Sequence, residues 1–218
     1  MSSRGNTAMN EPTAIAVLAK APLSGFAKTR LIPALGAEGA AQLQARLVEH
    51  SVATACAARI GPVTLWGAPD ESHPLFQAIG ARLGVALVRQ DGGDLGERML
   101  AAVAAADMPV LVIGTDCPAL TVDHLRTAAD ILRSGADAAI IPAEDGGYAL
   151  IGLRAPALAL FSKMHWSVPS VMQETRRRLR QLGMIWQEPV TLWDLDLPED
   201  IERLREIGLS NLIPSMNA

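Results

Sequence analysis

The sequence predicts an α/β protein, a three-layer α/β/α sandwich built on a mostly parallel sheet. Short β-branched and aliphatic runs alternate with longer Ala/Leu-rich stretches of helical spacing. That alternation is the pattern of a parallel sheet covered by helices on both faces. The first run, residues 13–19 (TAIAVLA), is almost continuously apolar, as a strand buried on both faces must be. The unusual loops, 20–30, 91–96, 114–118 and 191–196, each follow a predicted strand. In open sheets of this kind ligands bind beyond the carboxyl ends of the strands.

The elements follow in order. Residues 1–12 are polar and aperiodic and read as a flexible arm, leaving 13–218 as a single domain. After the strand at 13–19, a loop with Pro22, Gly25 and Pro33 leads to a helix over 36–59, where Leu43, Leu47 and Ala55 share a face. A strand at 62–67, a helix at 72–83 and a strand at 85–89 come next. The loop 91–96 opens a helix over 97–106, and a strand occupies 109–113. Thr121 is placed to cap a helix reaching 134. Strands at 136–141 and 148–153 are joined through a Gly-Gly turn. A helix near 168–182, a strand at 184–190, an acidic loop and a helix over 198–207 complete the chain.

Composition excludes several functions. Half of the 218 residues are hydrophobic and 19% are charged, so the chain can bury a core. A net charge of −4 and a pI near 5.6 lack the basic footprint of a nucleic-acid binder. Aromatic content of 4% is too low for a base-stacking platform. Cys56 and Cys117, the two cysteines, make neither a disulfide scaffold nor a cysteine-based zinc site. No apolar run is long enough to span a bilayer, and the early run lacks the basic flank of a signal peptide. A cytoplasmic location is the expectation.

The candidate chemistry lies in the loops. The first reads Lys20-Ala21-Pro22-Leu23-Ser24-Gly25-Phe26-Ala27-Lys28-Thr29-Arg30-Leu31. Gly25 allows close backbone approach, and Lys28 and Arg30 supply cations suited to phosphate. The spacing is not that of a P-loop, and an ordinary basic surface loop is the competing reading. Asp116, in Gly114-Thr115-Asp116-Cys117-Pro118, follows an apolar strand and suits a hard cation; capping a turn before proline is its alternative role. Asp194-Leu195-Asp196 puts two carboxylates on one side of an extended segment; alternatively they cap the helix near Pro198. Bare sequence also allows Asp94 as a helix cap, 145–148 as a hairpin turn and Cys117 as a packed thiol. His50, His73, His124 and His165 show no ligand spacing, and Arg176, Arg177, Arg178 and Arg180 read as a solvated face.

Six motifs occur in order: Gly25-Phe26-Ala27-Lys28-Thr29-Arg30-Leu31, Gly93-Asp94-Leu95-Gly96-Glu97-Arg98-Met99, Gly114 to Leu120, Asp145-Gly146-Gly147-Tyr148 running on to Leu153, Trp166-Ser167-Val168-Pro169, and Asp194 to Asp200. Together they resemble the glycosyltransferase-A-like family of bacterial proteins, some of which are glycosyltransferases associated with radical-SAM and selenodomain proteins. The chain is more distantly similar to phospholactate guanylyltransferases and molybdopterin nucleotidyltransferases. The resemblance implies a nucleotide-diphospho-sugar transferase fold and a metal-dependent transferase, a glycosyltransferase first and a nucleotidyltransferase as the alternative. A non-catalytic nucleotide-binding protein is the reading from a different class.

The resemblance further implies that Asp116, Asp194 and Asp196 hold Mg2+ or Mn2+. Lys20, Gly25, Lys28, Arg30, Asp94 and Arg98 would bind the nucleotide, and Gly146, Gly147, Tyr148, Trp166 and Ser167 the acceptor. Asp116, Lys28 and Asp145 would be catalytic. The expected partners are a nucleotide or nucleotide sugar and a small-molecule acceptor, with no nucleic acid and no membrane span; homo-oligomerisation is left open. One departure is Val168, where the family commonly has threonine, which removes a hydroxyl from that position although Ser167 and Thr175 remain.

Overall fold

The computed structural model describes residues 11–214. The arm expected over 1–12 therefore falls almost wholly outside the described residues. Seven strands form one sheet: β1 (Ala14–Lys20), β2 (Val63–Ala68), β3 (Ala86–Arg89), β4 (Val110–Ile113), β5 (Ala138–Pro142), β6 (Tyr148–Leu153) and β7 (Trp186–Gln187). Their order is β3-β2-β1-β4-β6-β5-β7. All neighbours are parallel except β6, which runs antiparallel between β4 and β5. The β5–β6 connection is thus a hairpin, and its tip lies at the edge where the parallel strands end.

Helices α1 (Ile32–Ala58), α2 (Pro74–Leu83), α3 (Leu95–Ala104), α4 (Val122–Arg133), α5 (Leu158–Phe161), α6 (Val171–Gln181) and α7 (Asp200–Glu206) alternate with the strands. The alternating side chains of β1 divide between two apolar layers. Ile15 and Val17 pack with Val48, Val52 and Leu125 of α1 and α4. Ala16 and Leu18 pack with Met99 and Val103 of α3 and with Met172 and Leu179 of α6. This two-sided burial is why the first strand is apolar at nearly every position.

Several boundaries differ from those read in the sequence. The first long helix begins at Ile32, with a proline in its first turn, and is interrupted at Gly36, whose φ of 70° breaks the helical path. Proline suits a first helical turn because its missing N–H would have no partner there. The strand expected over 184–190 shrinks to Trp186–Gln187. Beyond it the chain keeps one isolated bridge, Ala143 with Leu192. Thr121 caps α4 as predicted: its hydroxyl accepts from the His124 amide at 3.3 Å, while His124 Nδ1 accepts from the Thr121 amide at 3.2 Å. The arginines of α6 do not form a simple solvated face. Arg176 pairs with Glu188 at 2.6 Å, and Arg178 donates to the carbonyls of Ala159, Leu160 and Ser162, tying α6 to the segment around α5.

A third apolar cluster lies beneath the carboxyl edge of the sheet. Leu31, Leu43 and Leu47 pack there with Trp193, Leu195, Ile201 and Leu204. It joins the end of the first loop and α1 to the acidic C-terminal loop.

Candidate active site at the carboxyl edge of the sheet

The third cluster explains the alternation Asp194-Leu195-Asp196. Leu195 is fully buried, and removing such a side chain from water stabilises the fold by about 1.5–3 kcal/mol. In extended backbone its neighbours then point the other way. The Leu195 amide donates to the Asp116 carbonyl at 2.7 Å, so the C-terminal loop runs directly alongside the loop that follows β4. Neither Asp194 nor Asp196 caps α7, which has no side-chain cap. Instead Asp200 reaches back, accepting from the Asp196 amide at 3.0 Å and from the Leu197 amide at 2.8 Å. The loop is fixed by Asp200, and the other two carboxylates are left for the edge.

Lys28 sits between these segments. Its Nζ lies 2.5 Å from Asp116 Oδ1 and 3.2 Å from Asp196 Oδ1, and it donates to the Leu195 carbonyl at 2.6 Å. An ammonium has three donors, and all three are engaged. The Lys28 side chain is 5% exposed, whereas Asp116 is 53% exposed. Burial acts to lower the Lys28 pKa, but the charges and hydrogen bonds of Asp116 and Asp196 outweigh it and hold the pKa above the ordinary lysine value. Lys28 has φ 47°, a left-handed conformation that is strained for a residue with a side chain and that aims the side chain into the cluster. Arg30 Nη1 lies 3.5 Å from Asp196 Oδ2 with its side chain 71% exposed.

Asp194 is half-buried, and its pKa is pushed up to about 7, first by loss of water and then by the negative charges of Asp145, Asp116 and Asp196. Four carboxylates from three separate loops therefore share one region. Oxygen-only donors crowded until one resists ionising suit a hard divalent cation. Among the described residues no three His, Cys, Asp or Glu side chains form a ready metal cluster. The arrangement therefore fits a magnesium-type site, in which one or two carboxylates hold the ion together with substrate phosphates.

The remaining candidates form a wall beside this cluster. Asp94 caps α3, accepting from the Glu97 amide at 2.9 Å, and Arg98 donates to the Gly93 carbonyl at 3.3 Å. Gly96 must be glycine, because a Cβ there would meet the Trp166 ring at 2.5 Å. Trp166 stacks on Phe161, with ring centres 6.4 Å apart. Gly146, with φ 92°, lies so close to the Pro169 carbonyl that no side chain fits, and its own carbonyl accepts from the Met172 amide at 2.8 Å. The Gly147 amide donates to Asp145 Oδ1 at 2.8 Å. Loops 91–98, 145–148 and 166–170 are thus contiguous. Ser167 lies in the last of them with a left-handed φ of 62°. The Tyr148 hydroxyl turns onto Met99 Sδ at 3.8 Å, and burial pushes its pKa up. Its half-buried ring packs against the apolar layer that contains Met99. Cys117 is a buried thiol with its pKa pushed up to about 12, chiefly by burial, and is not a nucleophile.

Two positioning residues were missed in the sequence. Gln44 of α1 donates to the Lys20 carbonyl and to Thr115 Oγ1, both at 3.3 Å, joining the ends of β1 and β4. Gln90 donates to the carbonyls of Ala19 and Trp66 at 2.9 and 2.7 Å. A lone glutamine carries no motif; buried amide donors at strand ends become visible only in three dimensions. A cavity of about 570 Å3 opens away from these loops, beside Arg59, Arg126 and Arg133. Two of these guanidinium groups are already bound, Arg126 to the Ala58 carbonyl and Arg133 to the Glu11 carbonyl and Asp130.

Comparison with known proteins bears on the family and the fold. Residues 51–168 match the family described as uncharacterized protein conserved in bacteria (DUF2064), and the chain belongs to that family. It is similar to the crystal structure of a protein from Desulfovibrio desulfuricans G20 described provisionally as a nucleotide-diphospho-sugar transferase. Identity is 28% and the TM-score 0.76, over 85% of this chain and 82% of that one. A 4-diphosphocytidyl-2C-methyl-D-erythritol synthase from Anaerococcus prevotii DSM 20548 shares the fold at 13% identity and a TM-score of 0.59, over 93% of this chain and 99% of that one. A Mycobacterium tuberculosis H37Rv protein solved with manganese shares it at 16% identity and a TM-score of 0.53, over 90% and 98%. No curated protein matches. The fold is that of the nucleotide-diphospho-sugar transferases, and the chain resembles nucleotide-utilising transferases as a class.

Proposed function

We propose that the chain is a divalent-metal-dependent transferase acting on a nucleotide-activated donor, with a nucleotide sugar as the leading candidate. The observation that carries this reading is the meeting of Asp116, Asp194 and Asp196 with Lys28 and Arg30 at the carboxyl edge of the sheet. Asp116, with Asp194 or Asp196 of the C-terminal loop, would hold Mg2+ or Mn2+ together with the donor phosphates. An ion there would neutralise charge on the departing phosphates. Arg30, exposed beside Asp196, offers a planar fork to phosphate oxygens. Loop 91–98 would receive the base and ribose. Loops 145–148 and 166–170 would bring an acceptor toward Asp145, which neighbours Asp194. Residues 13–218 would then act as one unit, with donor and acceptor sites on the same edge. The relative from Desulfovibrio desulfuricans supports the nucleotide-sugar reading, and the manganese-bound fold neighbour is in keeping with a metal.

The test is a panel of nucleotide sugars and nucleoside triphosphates, each with Mg2+, Mn2+ or chelator. A true donor raises the melting temperature only with metal present, and turnover releases a nucleoside diphosphate. Pyrophosphate release from a triphosphate would establish the nucleotidyl alternative. Binding without turnover would indicate the non-catalytic one. No metal-dependent shift with any member of the panel would remove the proposal.

A further inference from the structure

Lys28 is usually the kind of residue read as a phosphate ligand. In this chain its ammonium has no donor to spare, since Asp116 Oδ1, Asp196 Oδ1 and the Leu195 carbonyl take all three. Two of these partners are among the carboxylates proposed to hold the divalent ion. An ammonium and a divalent cation cannot share these oxygens at contact distance without strong repulsion, because two like charges this close in a partly buried setting repel by several times thermal energy. A divalent ion that takes these oxygens therefore competes with the ammonium for them.

We infer that Lys28 is a built-in monovalent placeholder, which holds Asp116 and Asp196 until a divalent ion and a nucleotide diphosphate arrive together and which then moves from the carboxylates to the phosphate. This inference rests on the metal-dependent reading above. It adds that metal and diphosphate bind synergistically through one side chain. Metal alone must displace a buried ammonium with nowhere to go. Metal with diphosphate offers that ammonium a new anion, within reach of Arg30 on the same turn. Lys28 also offsets the repulsion between Asp116 and Asp196.

The inference makes opposite forecasts for two ligands. Replacing Lys28→Gln, which removes the charge and keeps a polar N–H donor, should tighten Mn2+ binding without nucleotide by roughly tenfold or more. The same substitution should weaken binding of the nucleoside diphosphate. Mn2+ affinity is read by titration calorimetry or by the electron-spin signal of free Mn2+. A second measurement needs no mutation. The chain has three lysines, Lys20, Lys28 and Lys163, and both Lys20 and Lys163 are exposed. The buried, hydrogen-bonded ammonium of Lys28 should give the one slowly exchanging lysine signal in a 15N-lysine NMR spectrum. Saturating Mg2+ with a nucleoside diphosphate should shift or erase it. Unchanged or weaker Mn2+ binding by a folded Lys28→Gln protein overturns the placeholder, as does a Lys28 signal indifferent to Mg2+ and diphosphate. If the wild type binds Mn2+ and the variant binds it equally, only this inference falls. If neither protein binds Mn2+ at millimolar concentration, the metal-dependent reading falls with it.

Discussion

Asp194 shows how a single residue carries the electrostatics of the site. Its carboxyl pKa is raised to about 7 by burial and by three neighbouring aspartates. Between about pH 4 and 7 the folded chain therefore holds a proton that the unfolded chain has lost. The contribution of Asp194 to stability falls as pH rises through that window, and the loss is complete above about pH 7. Asp194→Asn, which mimics the protonated acid, should raise the melting temperature of chelator-treated protein. Its gain at pH 8 should exceed its gain at pH 5 by on the order of 1–3 kcal/mol. Melting curves at the two pH values check this; an equal gain at both would mean that Asp194 is not crowded. Arg30 carries a second forecast at this scale. Arg30→Ala should weaken a nucleoside diphosphate roughly tenfold through loss of a charge-assisted contact, while leaving the nucleoside nearly unaffected. Equal losses in competition binding would show that Arg30 does not read phosphate.

At the scale of elements, the site depends on how loops are pinned. The β5–β6 hairpin is locked to the segment before α6 by Gly146, where positive φ and the Pro169 carbonyl leave no room for a Cβ. Gly146→Ala should cost roughly 1–3 kcal/mol in urea unfolding and should also weaken acceptor binding, because loops 145–148 and 166–170 separate together. A loss within experimental error would show that this contact is slack. Thr121→Ala removes one side of the capping box of α4 and none of the contacts given for the carboxylates. It should cost about 1 kcal/mol with nucleotide affinity intact, and so serves as a contrast in the same assay. The strands and helices were legible where their hydrophobic periods were clean, as in β1, α4 and β6. The second half of the strand read over 184–190 was not legible. Pro189 has no N–H to give to a ladder, and Val190 packs against the apolar layer that holds Leu192 rather than on a strand partner. The four-residue α5 is similarly held from outside, by Arg178.

For the whole molecule, the sequence led to the edge of the sheet where Asp116, Asp196 and Lys28 meet. The strand-then-loop rhythm placed 20–30, 91–96, 114–118 and 191–196 there, and the Asp194-Leu195-Asp196 alternation put two carboxylates on one side of an extended segment. Three features were not legible. Asp200, not Asp194 or Asp196, ties down the C-terminal loop; Lys28 is saturated by carboxylates; and Gln44 and Gln90 bridge strand ends. The Lys28, Gln44 and Gln90 contacts cross tens of residues, which local spacing does not encode; the Asp200 contact is local, but spacing does not say which of several nearby acids turns back onto the loop amides. The described helices include none long and apolar enough to cross a membrane.

The central claim is that carboxylates gathered around Asp116 couple nucleotide binding to a divalent cation. The most direct measurement is titration of UDP, GDP, ADP and CDP into wild-type protein and into Asp116→Ala, each with Mn2+ and with chelator, with folding checked by circular dichroism. The account predicts that at least one nucleotide binds the wild type with Mn2+ and barely without it, and that folded Asp116→Ala loses the Mn2+-dependent part. A folded Asp116→Ala protein that keeps the full Mn2+-dependent affinity would contradict it.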